Sequence, residues 1–171
     1  MISKATMVKH PRALLLDDDP NALQLLTRIL QRRFPTMAIE SRSLPNPEGQ
    51  FDLYLLDNEF DGACMAGTLA SEIRSVRPNA LIIAFSARLD APTLKALVNA
   101  GCNGACDKAD PRDVTRLLDI VDAYLTSRES ASVQESGSGY LGAIRSITEL
   151  IREWNQRLDL NQQALAQAGS S

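Results

Sequence analysis

The 171-residue chain is poor in the residues from which many small sites are built: one histidine, three cysteines, one tryptophan and only 5% aromatic residues. Cys102 and Cys106 lie four apart, but the single histidine, His10, is far away near the N-terminus, so a zinc site lacks ligands. The odd cysteine count, in a chain long enough to fold without staples, argues for reduced thiols rather than a disulfide framework. The C-x-x-C spacing of a redox pair is absent too. His10 reads as a solvated tail residue rather than a catalytic base. The formal net charge is -3 and no Lys/Arg block occurs, which excludes a phosphate-tracking nucleic-acid surface. No apolar run approaches the roughly 20 residues of a membrane span, and residues 1–11 lack the apolar centre of a signal peptide. A cytoplasmic protein with protein or small-anion partners is expected.

What is present is a βα alternation. Short apolar runs at Ala13–Leu16, Met37–Ser41, Leu53–Leu56, Leu81–Phe85 and, more weakly, Gly104–Cys106 alternate with helical patterns. That is the signature of a parallel sheet buried on both faces. The dipeptide Asp19-Pro20 supplies an N-cap and first-turn proline for a helix over 20–33, with Leu23, Leu26, Leu30 and Phe34 at helical spacing. Further helices are predicted over 68–76 and 91–100, the latter stopping at Gly101, and after Asp110-Pro111, where Val114, Leu117, Leu118, Val121 and Leu125 form one stripe. Between the second and third runs, Pro45, Pro47 and Gly49 reduce the expected helix to a vestige.

Four units follow: a flexible tail (1–11), an α/β domain (12–127), a Ser/Gly/Glu-rich flexible linker (128–139) and an amphipathic helix (140–171). In the last, Ile144, Ile147, Ile151, Trp154 and Leu158 alternate three and four apart, with Tyr140 and Leu165 extending the line. Residues 140–165 are expected to form a homodimer seam or a partner contact.

In open parallel sheets ligands bind beyond the carboxyl ends of the strands. The first run ends in Asp17, Asp18 and Asp19, the third in Asp57, the fourth in Ser86, and the fifth, after Asp107, in Lys108. Clustered Asp17, Asp18 and Asp57 repel one another without a cation, and hard oxygen ligands suit Mg²⁺. Asp57 can then serve as a carboxylate nucleophile toward a phosphoryl donor, with Lys108 and the Ser86 hydroxyl holding phosphoryl oxygens.

These residues, in the motifs LLLDDDP, FDLYLLD, LIIAFSA and AGCNGACDK, resemble the receiver domains of two-component response regulators over about residues 12–127. The resemblance implies a flavodoxin-like, doubly wound, five-stranded parallel sheet of order 2-1-3-4-5. It implies phosphorylation of Asp57 and Mg²⁺ held by Asp17, Asp18, Asp57 and the Glu59 backbone carbonyl. A sensor histidine kinase or phosphotransfer protein would be the donor, a downstream protein the target, and no DNA-binding output domain follows. Such a chain is a phosphoacceptor switch rather than an enzyme. The sequence departs from the family at Asp61 (a proline there), at Ala109 (the proline after the lysine) and at Ala105 (the switching aromatic). These departures suit a degenerate, unphosphorylated scaffold as the alternative. A haloacid dehalogenase-type phosphatase, with Asp17 and Asp19 as its D-x-D, is a third reading, but it leaves Asp57 without a task.

Overall fold

The computed structural model describes residues 10–133 and the isolated positions Glu149, Arg152, Gln156 and Gln167. The expected coiled-coil stripe, residues 134–139 of the linker and residues 1–9 of the tail therefore lie outside the described residues. Five strands, β1 (Arg12–Leu16), β2 (Ala38–Arg42), β3 (Leu53–Asp57), β6 (Leu81–Ser86) and β7 (Gly104–Asp107), form one parallel sheet in the order β2-β1-β3-β6-β7. In sheet order this is the 2-1-3-4-5 arrangement implied by the resemblance. A two-stranded ribbon, β4 (Glu59–Phe60) with β5 (Ala63–Cys64), is an addition that strand periodicity did not announce.

Apart from the exposed Arg12 that opens β1 and the polar Asp57 and Ser86 that end β3 and β6, the three central strands are apolar and buried, because helices cover both faces. Each fully buried Leu or Ile here is worth about 1.5–3 kcal/mol. Right-handed crossovers put α1 (Pro20–Arg33) on one face and α2 (Ala66–Val76) and α3 (Ala91–Asn99) on the other, since strand order reverses direction between β1 and β3. Helix α4 (Pro111–Val133) returns to the first face, where Asp122 meets Arg33 of α1 at 3.2 Å. The reversal opens a crevice between the ends of β1 and β3.

Helix ends follow local chemistry. The Asp19 carboxylate accepts the Asn21 amide at 2.8 Å and Pro20 occupies the first turn of α1. Asp90 does the same for α3 through Thr93 at 2.8 Å. Gly101, at φ +112°, lets the chain leave α3 through the left-handed region.

Among the described residues no helix forms between β2 and β3. Phe51, 1% exposed, plugs the gap between the Arg12 and Arg42 guanidiniums, 4.7 and 5.7 Å from its ring centroid, and meets Tyr54 edge-on. The 43–50 segment is held to this plug by its own backbone: Arg42 donates to the Asn46 and Glu48 carbonyls, and Tyr54 to that of Gly49.

The predicted linker start is corrected. Residues 128–133 continue α4 because no helix breaker intervenes and because Arg128 reaches down to pair with the buried Asp52 at the opposite end of the sheet. Tyr124 adds a bond from its hydroxyl to the Asn79 carbonyl at 2.9 Å. Arg128→Ala is expected to cost about 1.5–3 kcal/mol, the usual loss for a hydrogen bond to a charged group, and to open the last turns of α4. Urea unfolding and limited proteolysis measure both; a variant cleaved no faster than wild type after residue 125 contradicts the latch.

Candidate functional site

Asp17 directly follows β1 and is 2% exposed, and Asp57 ends β3 and is 7% exposed, so both acids are buried at the carboxyl ends of neighbouring strands. Asp18 follows Asp17 and is exposed. Asp17, Asp18 and Asp57 can each offer a carboxylate oxygen, all within 4.8 Å of one another. Lys108, directly after β7, extends its Nζ between two of them, 2.5 Å from Asp17 Oδ2 and 2.9 Å from Asp57 Oδ1. The other oxygen of Asp17 accepts the Asp19 amide at 2.9 Å.

Burial pushes the Asp57 carboxyl above its ordinary range; the hydrogen bond and charge of Lys108 oppose this, and the charge of Asp17 adds to it. Burial alone would lower the Lys108 amine, but its bonds and attraction to Asp17 and Asp57 outweigh that and hold it above its ordinary value. One ammonium thus faces two buried carboxylates with a third alongside. The donor set is all oxygen, has a surplus of negative charge, and suits a hard divalent cation such as Mg²⁺.

The loop after Asp57 is the β4–β5 hairpin. Asp61 and Gly62 both have positive φ, +49° and +80°, the requirement of a two-residue type I′ turn. The Asp-Gly dipeptide is the sequence signal for it, present where the family has its proline. Met65 N–H donates to the Asn58 carbonyl at 3.0 Å, so Asn58–Met65 and Phe60–Ala63 are the bonded pairs of the ribbon and Glu59–Cys64 is the non-bonded one. Glu59 therefore turns its N–H and C=O off the ribbon. Its backbone opposes, as a minor contribution, the rise that burial imposes on the Asp57 carboxyl, and the Asp61 amide donates to Asp18 Oδ2 at 2.9 Å. The Glu59 side chain itself is exposed.

Ser86 is buried at the end of β6, but its hydroxyl is engaged with its own turn, donating to the Arg88 carbonyl at 2.7 Å and accepting the Arg88 amide at 3.2 Å. Its backbone carbonyl accepts the Lys108 amide at 2.9 Å. The structure thus brings together Asp17, Asp18, Asp57 and Lys108, with the Glu59 backbone on the rim, and leaves the Ser86 hydroxyl turned onto the loop that follows it. Asp19 is occupied as the α1 cap, and among the described residues Lys108 leads into α4 with no further strand, which does not suit the D-x-D phosphatase arrangement. Ala105 is fully buried opposite Ala84.

No family model matches the sequence, and no curated protein matches it. Solved structures are similar to it in fold. The beryllofluoride-activated receiver domain of DrrB from Thermotoga maritima is 20% identical, with a TM-score of 0.60 over 69% of this chain and 99% of that one. A CheY-like receiver domain protein from Methanospirillum hungatei is 22% identical, with a TM-score of 0.60 over 71% of this chain and 98% of that one. The response regulator TrrA from Thermotoga maritima, solved with Mg²⁺ and beryllofluoride, is 26% identical, with a TM-score of 0.55 over 67% of this chain and 98% of that one.

Proposed function

We propose that this chain, which has the fold of response-regulator receiver domains, accepts a phosphoryl group on Asp57 and passes the change on through protein–protein contacts. The observation that carries this reading is the placement of a buried carboxylate, Asp57, within 2.9 Å of the Lys108 amine and beside two further acids at the crevice of a parallel sheet. An Asp57 carboxylate oxygen attacks phosphorus, an O–P bond forms, and the donor's P–N bond (from a phosphohistidine) or P–O bond (from acetyl phosphate) breaks with the electron pair leaving on the donor. Asp17, Asp18, Asp57 and the Glu59 carbonyl would hold Mg²⁺, whose charge would offset that of the phosphoryl oxygens. Lys108, already beside Asp57, is placed to hold one phosphoryl oxygen as charge develops on it.

A sensor histidine kinase or a phosphotransfer protein is the donor in this reading, in the cytoplasm, and the protein is a switch rather than an enzyme. To hold phosphate, the Ser86 hydroxyl exchanges the Arg88 backbone for a phosphoryl oxygen. That exchange would carry the loop before α3 with it and supply a two-state element at a site where Ala105 offers no aromatic lever. Residues 140–165 would serve as dimer seam or partner contact; sedimentation of chains with and without residues 140–171 should show a difference in mass per particle beyond the deletion itself.

The test of the phosphoryl reading is incubation with acetyl phosphate and Mg²⁺. Wild type should gain an acid-stable, base-labile phosphoryl group and Asp57→Asn should not. Because Asp57 is held protonated more readily in the folded state, its stabilising contribution is complete at acid pH and lost as pH rises through the raised folded value. Asp57→Asn should therefore also be more stable at neutral pH, by about 0.5–2 kcal/mol in urea unfolding. If wild type stays unmodified, the unphosphorylated scaffold becomes the better reading, with the bound Ser86 hydroxyl as its support.

A further inference from the structure

Phosphoryl transfer at Asp57 draws on Lys108 but leaves a second buried acid unexplained. Asp113, in the first turn of α4, is 1% exposed and too deep to serve as a surface cap. Its Oδ2 accepts the Asp107 amide at 3.0 Å, and its Oδ1 pairs with Arg116 at 2.9 Å, so both carboxylate oxygens are held in place. Asp107 in turn accepts the Ala109 amide through Oδ1 at 2.8 Å, while the Lys108 amide goes to the Ser86 carbonyl at 2.9 Å. Three consecutive amides, those of Asp107, Lys108 and Ala109, are each tied to a different acceptor, and two of the three acceptors are carboxylates. With Ala109 following the lysine, no proline ring fixes the backbone here.

We propose that Asp113, acting through Asp107 and held by Arg116, is the positioning residue that aims Lys108 at Asp57. A lysine side chain is long and rotatable, so the direction in which its backbone launches it decides whether Nζ reaches both Asp17 and Asp57. The proposal rests on the phosphoryl reading for its functional meaning, but its geometry can be tested apart from that reading.

In the full chain, Asp113→Ala should lower the initial rate of Asp57 phosphorylation by acetyl phosphate and Mg²⁺ by about tenfold to a hundredfold, the effect of misplacing a reacting group by about 1 Å. In a Lys108→Ala background the same change should have no further effect, because nothing remains to be aimed. An equal factor in both backgrounds makes Asp113 merely structural and overturns the proposal. A second measurement needs no phosphate. The rate of Lys108 acylation by an amine-reactive ester, relative to exposed Lys95 in the same molecule, should rise severalfold in Asp113→Ala and in the milder Arg116→Ala. An unchanged ratio in the folded Arg116→Ala protein also overturns the proposal. Failure of the phosphoryl reading looks different: wild type and Asp57→Asn are then equally unmodified, while the acylation ratio still responds to Asp113.

Discussion

Removing the amine with Lys108→Ala should make the fold depend on a divalent cation. In the wild-type protein the Lys108 ammonium is the cation bonded to both Asp17 and Asp57, which are 2% and 7% exposed. Without it, two buried carboxylates at the ends of neighbouring strands, with Asp18 close by, face one another uncompensated. Breaking a buried pair by deleting one partner typically costs about 3–5 kcal/mol. Some of that is recovered by protonating Asp57, whose carboxyl already sits above its ordinary value because of burial. The deficit should therefore be greatest near neutral pH. It should shrink as pH falls through the raised Asp57 value, where the acid is neutral in both proteins. It should also shrink at strongly alkaline pH, because the raised Lys108 amine contributes fully below its unfolded value and loses its charge as pH climbs through the folded one.

Mg²⁺ should raise the melting temperature of this variant more than that of wild type, since it supplies the missing positive charge to the same oxygens. Phosphorylation should fall by about a hundredfold to a thousandfold even with Mg²⁺ present, the usual consequence of losing one group that stabilises developing charge. Melting curves across pH with and without Mg²⁺ decide the matter. A variant that melts like wild type in chelator, and gains nothing from Mg²⁺, would remove the electrostatic account of the site.

Phe51→Ala should be the most destabilising substitution away from the site. The ring is 1% exposed, packed between the Arg12 and Arg42 guanidiniums and edge-on to Tyr54. Truncating a buried Phe costs about 3–5 kcal/mol, and removing the ring face from beneath each of the two guanidiniums adds about 0.5–1 kcal/mol apiece. Arg12 and Arg42 would then lie over a cavity, with the Gln50, Asn46 and Glu48 carbonyls still bonded to them but nothing apolar beneath. Because β3 rises about 3.3 Å per residue, Phe51 lies roughly 20 Å from Asp57 at the other end of the strand. The folded fraction of the variant should accordingly be phosphorylated at the wild-type rate. Urea denaturation with phosphorylation measured below the transition separates the two effects; a loss under about 1 kcal/mol would show that the segment is held by its backbone bonds alone.

The site was legible where chemistry is local. Apolar runs that stop at Asp17, Asp57 and Ser86 mark strand ends, and Asp19-Pro20 marks a helix start, because capping and burial periodicity act within a few residues. The absence of a helix at 43–50 was legible for the same reason, in Pro45, Pro47 and Gly49. The hairpin after Asp57 was legible in principle from Asp61-Gly62, but its strands are two residues long and carry no readable alternation. Composition misplaces the linker start at 128–133 because it reports a tendency, whereas Arg128 reaches a buried acid 76 positions earlier in the chain.

The sequence by itself determined the order of strands and helices, the acids at the strand ends and the missing second helix, since each depends on neighbours within one turn or one pleat. The tertiary structure decided which charges meet: Lys108 with Asp17, 91 residues apart, Asp113 with the backbone before Lys108, Arg128 with Asp52, and the Ser86 hydroxyl with its own loop. Electrostatic partners are selected by distance in the folded molecule and by the low dielectric that surrounds them, and neither exists until the sheet has brought the strand ends together.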